Sequence, residues 1–377
     1  MGILAFLFFA AYSSTYSESS LLVSPHRLIL KTCGTTLNLL GLPRILEIAR
    51  EQASLPTVYR CFYSRKSFFF PERQKGPHRE WKDEVEYLDK ILPNGSAYTV
   101  GKMNGDHWLL YITYPPDGFI ITPPPVFRHF RRPHTNGDKT HGAIDEAIVT
   151  PKAPKPDYTI EILMSRLSPR AGQAFYFPEE QPHPDSTPSN KAHEVSVALG
   201  ITELFPPHLT TLDCYAFSPC GYSSNALIKW GEAGHADSHD SDHEGEGYYT
   251  IHVTPEEGWS YASFECNVPL STVPAPHAHD MPDLGTLVRR IVGIFCPARL
   301  TLTLFISSAG NNEAEEEGGE SAIEAAQRTF KIALTSVNWT SPREADGECN
   351  VVYKRTDKIN YEFGDYDLAF ASFELAS

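Results

Sequence analysis

The sequence is short of the features that mark several common protein classes. Its seven cysteines are an odd number and none forms a CxxC pair. That argues against a disulfide framework and against a zinc signature, and it fits a reducing, cytoplasmic compartment. Lys and Arg number 32 against 47 Asp and Glu, for a formal net charge of -15. Nucleic acid and anionic membranes both need clustered cations, so neither is expected as the main partner. The acidity serves solubility and attracts small cations. The apolar N-terminal run from Gly2 to Tyr12 falls short of the ~20 residues that a membrane-spanning helix needs. It also lacks the basic flank of a signal peptide. It reads as a buried strand or as the product of a misassigned start codon, ahead of a secretory segment.

What is present suffices for a substantial core. The chain has 377 residues, of which 41% are hydrophobic, enough for one large domain or two ordinary ones. From Leu28 to Tyr114 strand and helix patterns alternate. Arg27 to Thr32 reads as a strand, and Gly34-Thr35-Thr36 as a capped helix start. Val58 to Arg65 is strand-like. Trp81, Val85, Leu88 and Ile91 recur at helical spacing. Strands from Ala97 to Met103 and from Trp108 to Tyr114 flank Asn104-Gly105-Asp106, a hairpin signal. Leu284, Leu287, Val288, Ile291 and Phe295 form a helical core stripe, and Leu300 to Ile306 and Leu368 to Phe373 read as strands.

Three segments read as insertions. Residues 115–156 are Pro-rich and carry the basic stretch Arg128 to Arg132. Residues 231–247 hold His235, His239 and His243 among Asp237, Asp240 and Asp242. These are metal-ligating residue types, but interleaved Gly and Ser impose no rigid spacing, so a solvated loop is expected and no metal site. Residues 308–325 contain the run from Glu313 to Glu320, whose like charges point to an exposed loop.

Asp157, Thr159 and Glu161 alternate, so on a strand they share a face; such a triplet is ordinarily a solvated one. The serine run Ser17-Glu18-Ser19-Ser20 would by itself be a loop. It is followed by LKTCGTT, FYSRKSF, PHR, PNG, IEILMS, Phe217 with PCGYS, YYTIHVTPE and YASFE. In this order and spacing the segments resemble eukaryotic, fungal-type S-adenosylmethionine decarboxylase proenzymes, over about Thr15 to Phe373.

The resemblance implies an α+β fold, a four-layer α/β/β/α sandwich of two mainly antiparallel β-sheets flanked by helices. It implies one domain over 1–377, cut between Glu18 and Ser19 into a β chain (1–18) and an α chain (19–377). Ser19 becomes a pyruvoyl group, the cofactor, which forms a Schiff base with S-adenosylmethionine and drives its decarboxylation for spermidine and spermine synthesis. Ser223 is implied in ester formation, His252 as the processing base and Cys33 as the proton donor in turnover. Phe217 matches an adenine-stacking ring and Glu256 a ribose-binding carboxylate. Asp157, Thr159 and Glu161 match residues that bind the activator putrescine; Glu265 and Lys31 join that network, and Phe62, Tyr63, Phe305 and Tyr366 line it. A homodimer stays open, because family members differ in oligomeric state.

One departure is visible. The family's N-terminal strand carries a Phe-Glu-Gly-x-Glu-type motif with a second adenine-stacking ring and further acids. No such motif occurs before Ser19, so part of the adenine site and of the acidic network is expected to be missing, through an incomplete gene model. The alternative expectation is an impaired homologue that acts as a regulatory partner of an active decarboxylase.

Overall fold

The computed structural model describes residues 2–6, 12–14, 19–24, 27–32, 36–104, 107–115, 157–178, 187–231, 245–274, 281–336 and 352–376. Two antiparallel sheets carry the fold. The first contains β1 (Gly2–Phe6), β2 (Tyr12–Ser14), β3 (Ser20–Ser24), β4 (Arg27–Thr32), β5 (Phe62–Lys66), β6 (Gly95–Gly101) and β7 (His107–Thr113). Their order is β2-β3-β4-β1-β5-β7-β6. The second contains β8 (Tyr158–Ser165), β9 (Thr210–Ala216), β10 (Tyr222–Trp230), β11 (Gly245–Thr254), β12 (Tyr261–Cys266), β13 (Arg299–Ser307), β14 (Tyr353–Phe363) and β15 (Tyr366–Leu375). Its order is β14-β15-β13-β8-β12-β11-β10-β9.

Burial separates four layers. Val100, Trp108, Leu110 and Ile112 of the first sheet pack with Leu163, Phe363, Leu368 and Phe370 of the second. Leu22 and Ile29 meet Tyr248 in the same inter-sheet space. On the outer face of the first sheet, Tyr63 and Tyr111 pack with Leu39 and Leu42 of helix α1 (Asn38–Gln52) and Leu88 of α2 (Trp81–Asp89). The outer face of the second sheet is covered mainly by α4 (Pro188–Leu199), α5 (Leu284–Phe295) and α7 (Ala322–Thr335). The short α3 (Pro169–Gln173) and α6 (Ser308–Gly318) complete the α-helices of the described residues. The expected α/β/β/α sandwich is what the chain forms. The period-2 alternation of β-strands explains it, because both sheets are apolar on both faces.

Some elements differ from the sequence expectation. The Glu-rich run is helical as far as Gly318 rather than a loop, within α6, and Glu313, Glu315 and Glu316 are exposed. Glu is a good helix former, and water screens the repulsion that argued for a loop. Asn311 ties this helix down, accepting at Oδ1 from the backbone N–H of Ile323 at 3.1 Å. Helix α1 starts at Asn38, later than expected, with Leu37 at the cap and no side-chain cap bond. The N-terminal apolar run does contain a strand. β1 lies between β4 and β5, with Ile3 opposite Lys31 on one side and Ser64 on the other. Glu18, Cys33, the basic stretch Arg128 to Arg132 and the His-rich segment lie outside the described residues. Among the described residues, no helix is long and apolar enough to cross a membrane.

Candidate active site and cation cavity

The site is built where β3 and β4 of the first sheet face β10, β11 and β12 of the second. Ser223 and His252 are direct cross-strand partners on β10 and β11, so their side chains share the inner face. Ser223 Oγ lies 3.3 Å from His252 Nδ1. The other ring nitrogen, Nε2, is 2.9 Å from Ser20 Oγ at the start of β3. His252 thus bridges the two sheets and is itself buried. A neutral imidazole donates from one nitrogen and accepts at the other, so this arrangement holds the ring in one orientation. Ser19 is half-buried and immediately precedes Ser20. Sequence reasoning named Ser19 and passed over Ser20; only the tertiary contact to His252 marks it.

A turn between β9 and β10 carries Phe217. Gly221 closes it, accepting from the Phe217 N–H at 2.9 Å. Gly221 has φ +117, a backbone conformation open to glycine and strained for other residues. Tyr215 packs on Phe217 with ring centroids 5.0 Å apart, leaving Phe217 half-buried. Glu256 follows the end of β11 and is also half-buried. Tyr222 pairs with Val253, so the Phe217 turn and Glu256 sit at the same end of the sheet, beside Ser223 and His252.

The acidic residues form a second, connected group. Ser20 and Lys31 are cross-strand partners, so Lys31 points into the same inter-sheet space. Its ammonium is fully buried, 3.0 Å from Glu265 Oε2 and 3.7 Å from Glu161 Oε1. Glu161 and Glu265 are themselves direct partners on β8 and β12. Tyr248 donates to Glu265 Oε1 at 2.8 Å. Asp157, just before β8, accepts from Arg27 at Oδ1 and from the Tyr366 hydroxyl at Oδ2, the latter at 2.7 Å. Burial pushes the Glu161 carboxyl up to about 7; Lys31 opposes the shift and Glu265 adds to it.

These groups surround a cavity of about 90 Å³. A single water occupies roughly 10–15 Å³ on this measure, so a short-chain molecule fits. Its polar walls are Asp157, Thr159, Glu161, Glu265 and Arg27; its apolar walls include Phe62, Phe305 and Tyr366. The Phe305 and Tyr366 rings stack at 4.7 Å, and Phe62 meets both edge-on at 5.3 and 5.2 Å. Tyr63 does not belong here. It neighbours Phe62 on β5 and so faces the opposite way, donating to Glu84 at 2.8 Å beneath α2. Arg27, Trp108 and Tyr248 line the cavity and were not singled out from sequence. The ordered RxIxK spacing of β4 held a signal, since Arg27, Ile29 and Lys31 alternate onto one face. Among the described residues, no cluster of His, Cys, Asp and Glu has the arrangement of a metal site.

Comparison with known proteins closes on one family. The adenosylmethionine decarboxylase family model matches residues 9–374. The S-adenosylmethionine decarboxylase proenzyme of Xenopus laevis is 32% identical over 357 residues, covering 95% of this chain and 78% of the relative. The proenzyme of Saccharomyces cerevisiae is 29% identical over 381 residues, covering 94% and 77%. The crystal structure of the Trypanosoma brucei AdoMetDC-delta26 monomer has the same fold, with a TM-score of 0.54 at 18% identity, over 95% of this chain and 99% of that one.

Proposed function

Because this chain belongs to the adenosylmethionine decarboxylase family, we propose that it cuts itself between Glu18 and Ser19 and then decarboxylates S-adenosylmethionine with a pyruvoyl group at Ser19. The observation that carries this is His252, held between Ser20 on one sheet and Ser223 on the other. Self-cleavage needs a hydroxyl placed against a carbonyl and a base nearby. Ser19 supplies the hydroxyl, which attacks the Glu18 carbonyl and converts the amide to an ester. Ser223 supports that step. His252 then takes the Ser19 α-proton, the Glu18 α-carboxylate leaves by elimination, and water hydrolyses the resulting dehydroalanine to the pyruvoyl group and ammonia; an imidazole titrates near neutrality and suits the task. The pyruvoyl carbonyl supplies an electron sink for loss of CO2 from an amine substrate.

The remaining roles fall to residues around it. Phe217 presents a ring face to the adenine, and a sulfonium nearby also favours aromatic faces. Glu256 offers two acceptor oxygens to the ribose hydroxyls. Cys33, from the KTCGTT segment, protonates the substrate carbon. The acidic cavity takes putrescine: Asp157 and Glu161 are four residues apart, about 13 Å along a strand, a span that a short diammonium bridges between two carboxylate side chains. Every side chain named comes from one chain, so the proposal does not require a homodimer. The product is the aminopropyl donor of polyamine synthesis, and the setting is cytoplasmic. The regulatory-partner alternative draws no support from relatives that carry the proenzyme name. The test is release of CO2 from carboxyl-labelled S-adenosylmethionine by the purified chain. Release that Ser19→Ala abolishes supports the reading; cleaved protein that releases none overturns it.

A further inference from the structure

The three carboxylates of the cavity are not equally available. Both oxygens of Asp157 are engaged, one by the Arg27 guanidinium and one by the Tyr366 hydroxyl. Both oxygens of Glu265 are engaged, by Lys31 and by Tyr248. Glu161 meets Lys31 at 3.7 Å, beyond hydrogen-bond length, with the Trp108 indole beside it. Charge agrees with geometry. Among the described residues, three carboxylates face two cations, Arg27 and Lys31, one acid more than the bases. On β1 the register position beside Lys31 is Ile3. In this arrangement the cavity has an opening for one ammonium, at its inner end beside Glu161. Its outer end is closed by a cation of the protein itself.

We propose that Arg27 is an internal competitor for the activator, and that it decides whether the cavity answers to one ammonium or to two. The inference rests on the cation-cavity reading above and adds a specificity residue to it. A monoamine binds at Glu161 and leaves the Arg27–Asp157 pair in place. A diammonium brings its second charge to Asp157 only by displacing the guanidinium. Displacement has a route, because the side chains of Arg27 and Asp157 are 22% and 29% exposed, whereas Lys31 is fully buried. The exchange replaces one ion pair at Asp157 by another, so the second ammonium adds little net affinity. Arg27 also sits in the hairpin that begins at Ser20: Ser24 Oγ donates to the Arg27 carbonyl at 3.2 Å. Releasing the guanidinium therefore loosens a contact of the segment that carries the serine at the cleavage point.

Calorimetric titration of the full chain with n-butylamine and with 1,4-diaminobutane tests this, on wild type, Arg27→Gln and Arg27→Lys. Wild type binds the two amines within about threefold, and Arg27→Gln binds the diamine about tenfold or more tightly while butylamine changes little; removing one charge beside a carboxylate has effects of that order. Arg27→Lys retains the charge and behaves as wild type, which also guards against a folding defect in the glutamine variant. A wild type that binds diamine, with Arg27→Gln binding it equally or more weakly, overturns the role of Arg27 and leaves the cavity reading standing. Binding of neither amine to any of the three proteins removes the cavity reading, and this inference with it.

Discussion

At the scale of single residues, the account turns on side chains that face each other across the inter-sheet space. Ser20 is a case where chemistry follows from a contact. Its Oγ holds His252 Nε2 at 2.9 Å, so Ser20→Ala frees one side of the ring. Self-cleavage should slow by roughly tenfold, about the 1–1.5 kcal/mol of one hydrogen bond, and gel analysis of uncut precursor over time checks it. Unaltered cleavage would make the Ser20 contact incidental. Glu161 gives a pH dependence. Its carboxyl is raised by burial to about 7, with Lys31, Glu265, Asp157, Arg27, Tyr248 and Tyr366 as the other titratable or charged groups around the cavity. An ammonium favours the ionised form, so below that value binding must expel a proton and affinity falls as pH falls. Between pH 8 and pH 6 amine affinity should drop about tenfold. A flat profile by calorimetry contradicts this. The family resemblance made Ser19, Ser223, His252 and the acid triplet legible in sequence. Ser20 and Arg27 were not, because what distinguishes them is a partner 232 and 130 residues away.

At the scale of elements, strands were read better than their boundaries and their surroundings. Thr159 and Glu161 on β8, with Asp157 just before it, and the Arg27–Thr32 strand stand where the pattern puts them. The resemblance places Tyr63 at the cavity beside Phe62, yet neighbours on a strand cannot share a face, and Tyr63 lies under the helices. Period 2 held the correction all along. Helix α6 runs against the charge density of its Glu residues because Glu is a good helix former and water screens the repulsion. The turn before β10 offers a test of how an element sets a site. Gly221 at φ +117 forces the close return that presents Phe217; an alanine there costs about 1–3 kcal/mol of backbone strain. Gly221→Ala should raise KM for S-adenosylmethionine several-fold while self-cleavage proceeds, because Ser223 and His252 are held by the β10–β11 register rather than by the turn. Equal loss of cleavage and of substrate binding would show that the turn supports the whole sheet end.

At the scale of the whole molecule, two sheets meet so that one polar seam runs through an otherwise apolar interface. Asp157 and Arg27 form its outer end, Lys31 with Glu161 and Glu265 its middle, and Ser20, His252 and Ser223 its inner end. A buried cation between carboxylates is costly to unpair, so Lys31→Ala should destabilise the fold by roughly 3–5 kcal/mol, read from urea unfolding. Ser20 and Lys31 are cross-strand partners, so on the proposed reading charge neutralisation at the cavity would reach the cleavage segment in two side-chain steps. Stimulation by an amine is then expected as a linkage between sites. Asp157→Asn should abolish the stimulation by putrescine and leave unstimulated activity largely intact, in assays with and without the amine. Conversion of Ser19 into a cofactor is tested most directly by intact-mass analysis of the purified chain. The account predicts two fragments split between Glu18 and Ser19, the larger blocked at its terminus by a pyruvoyl group, and a single uncut chain for Ser19→Ala. A wild-type chain that stays whole, or fragments whose larger piece begins with an unmodified serine, would contradict it.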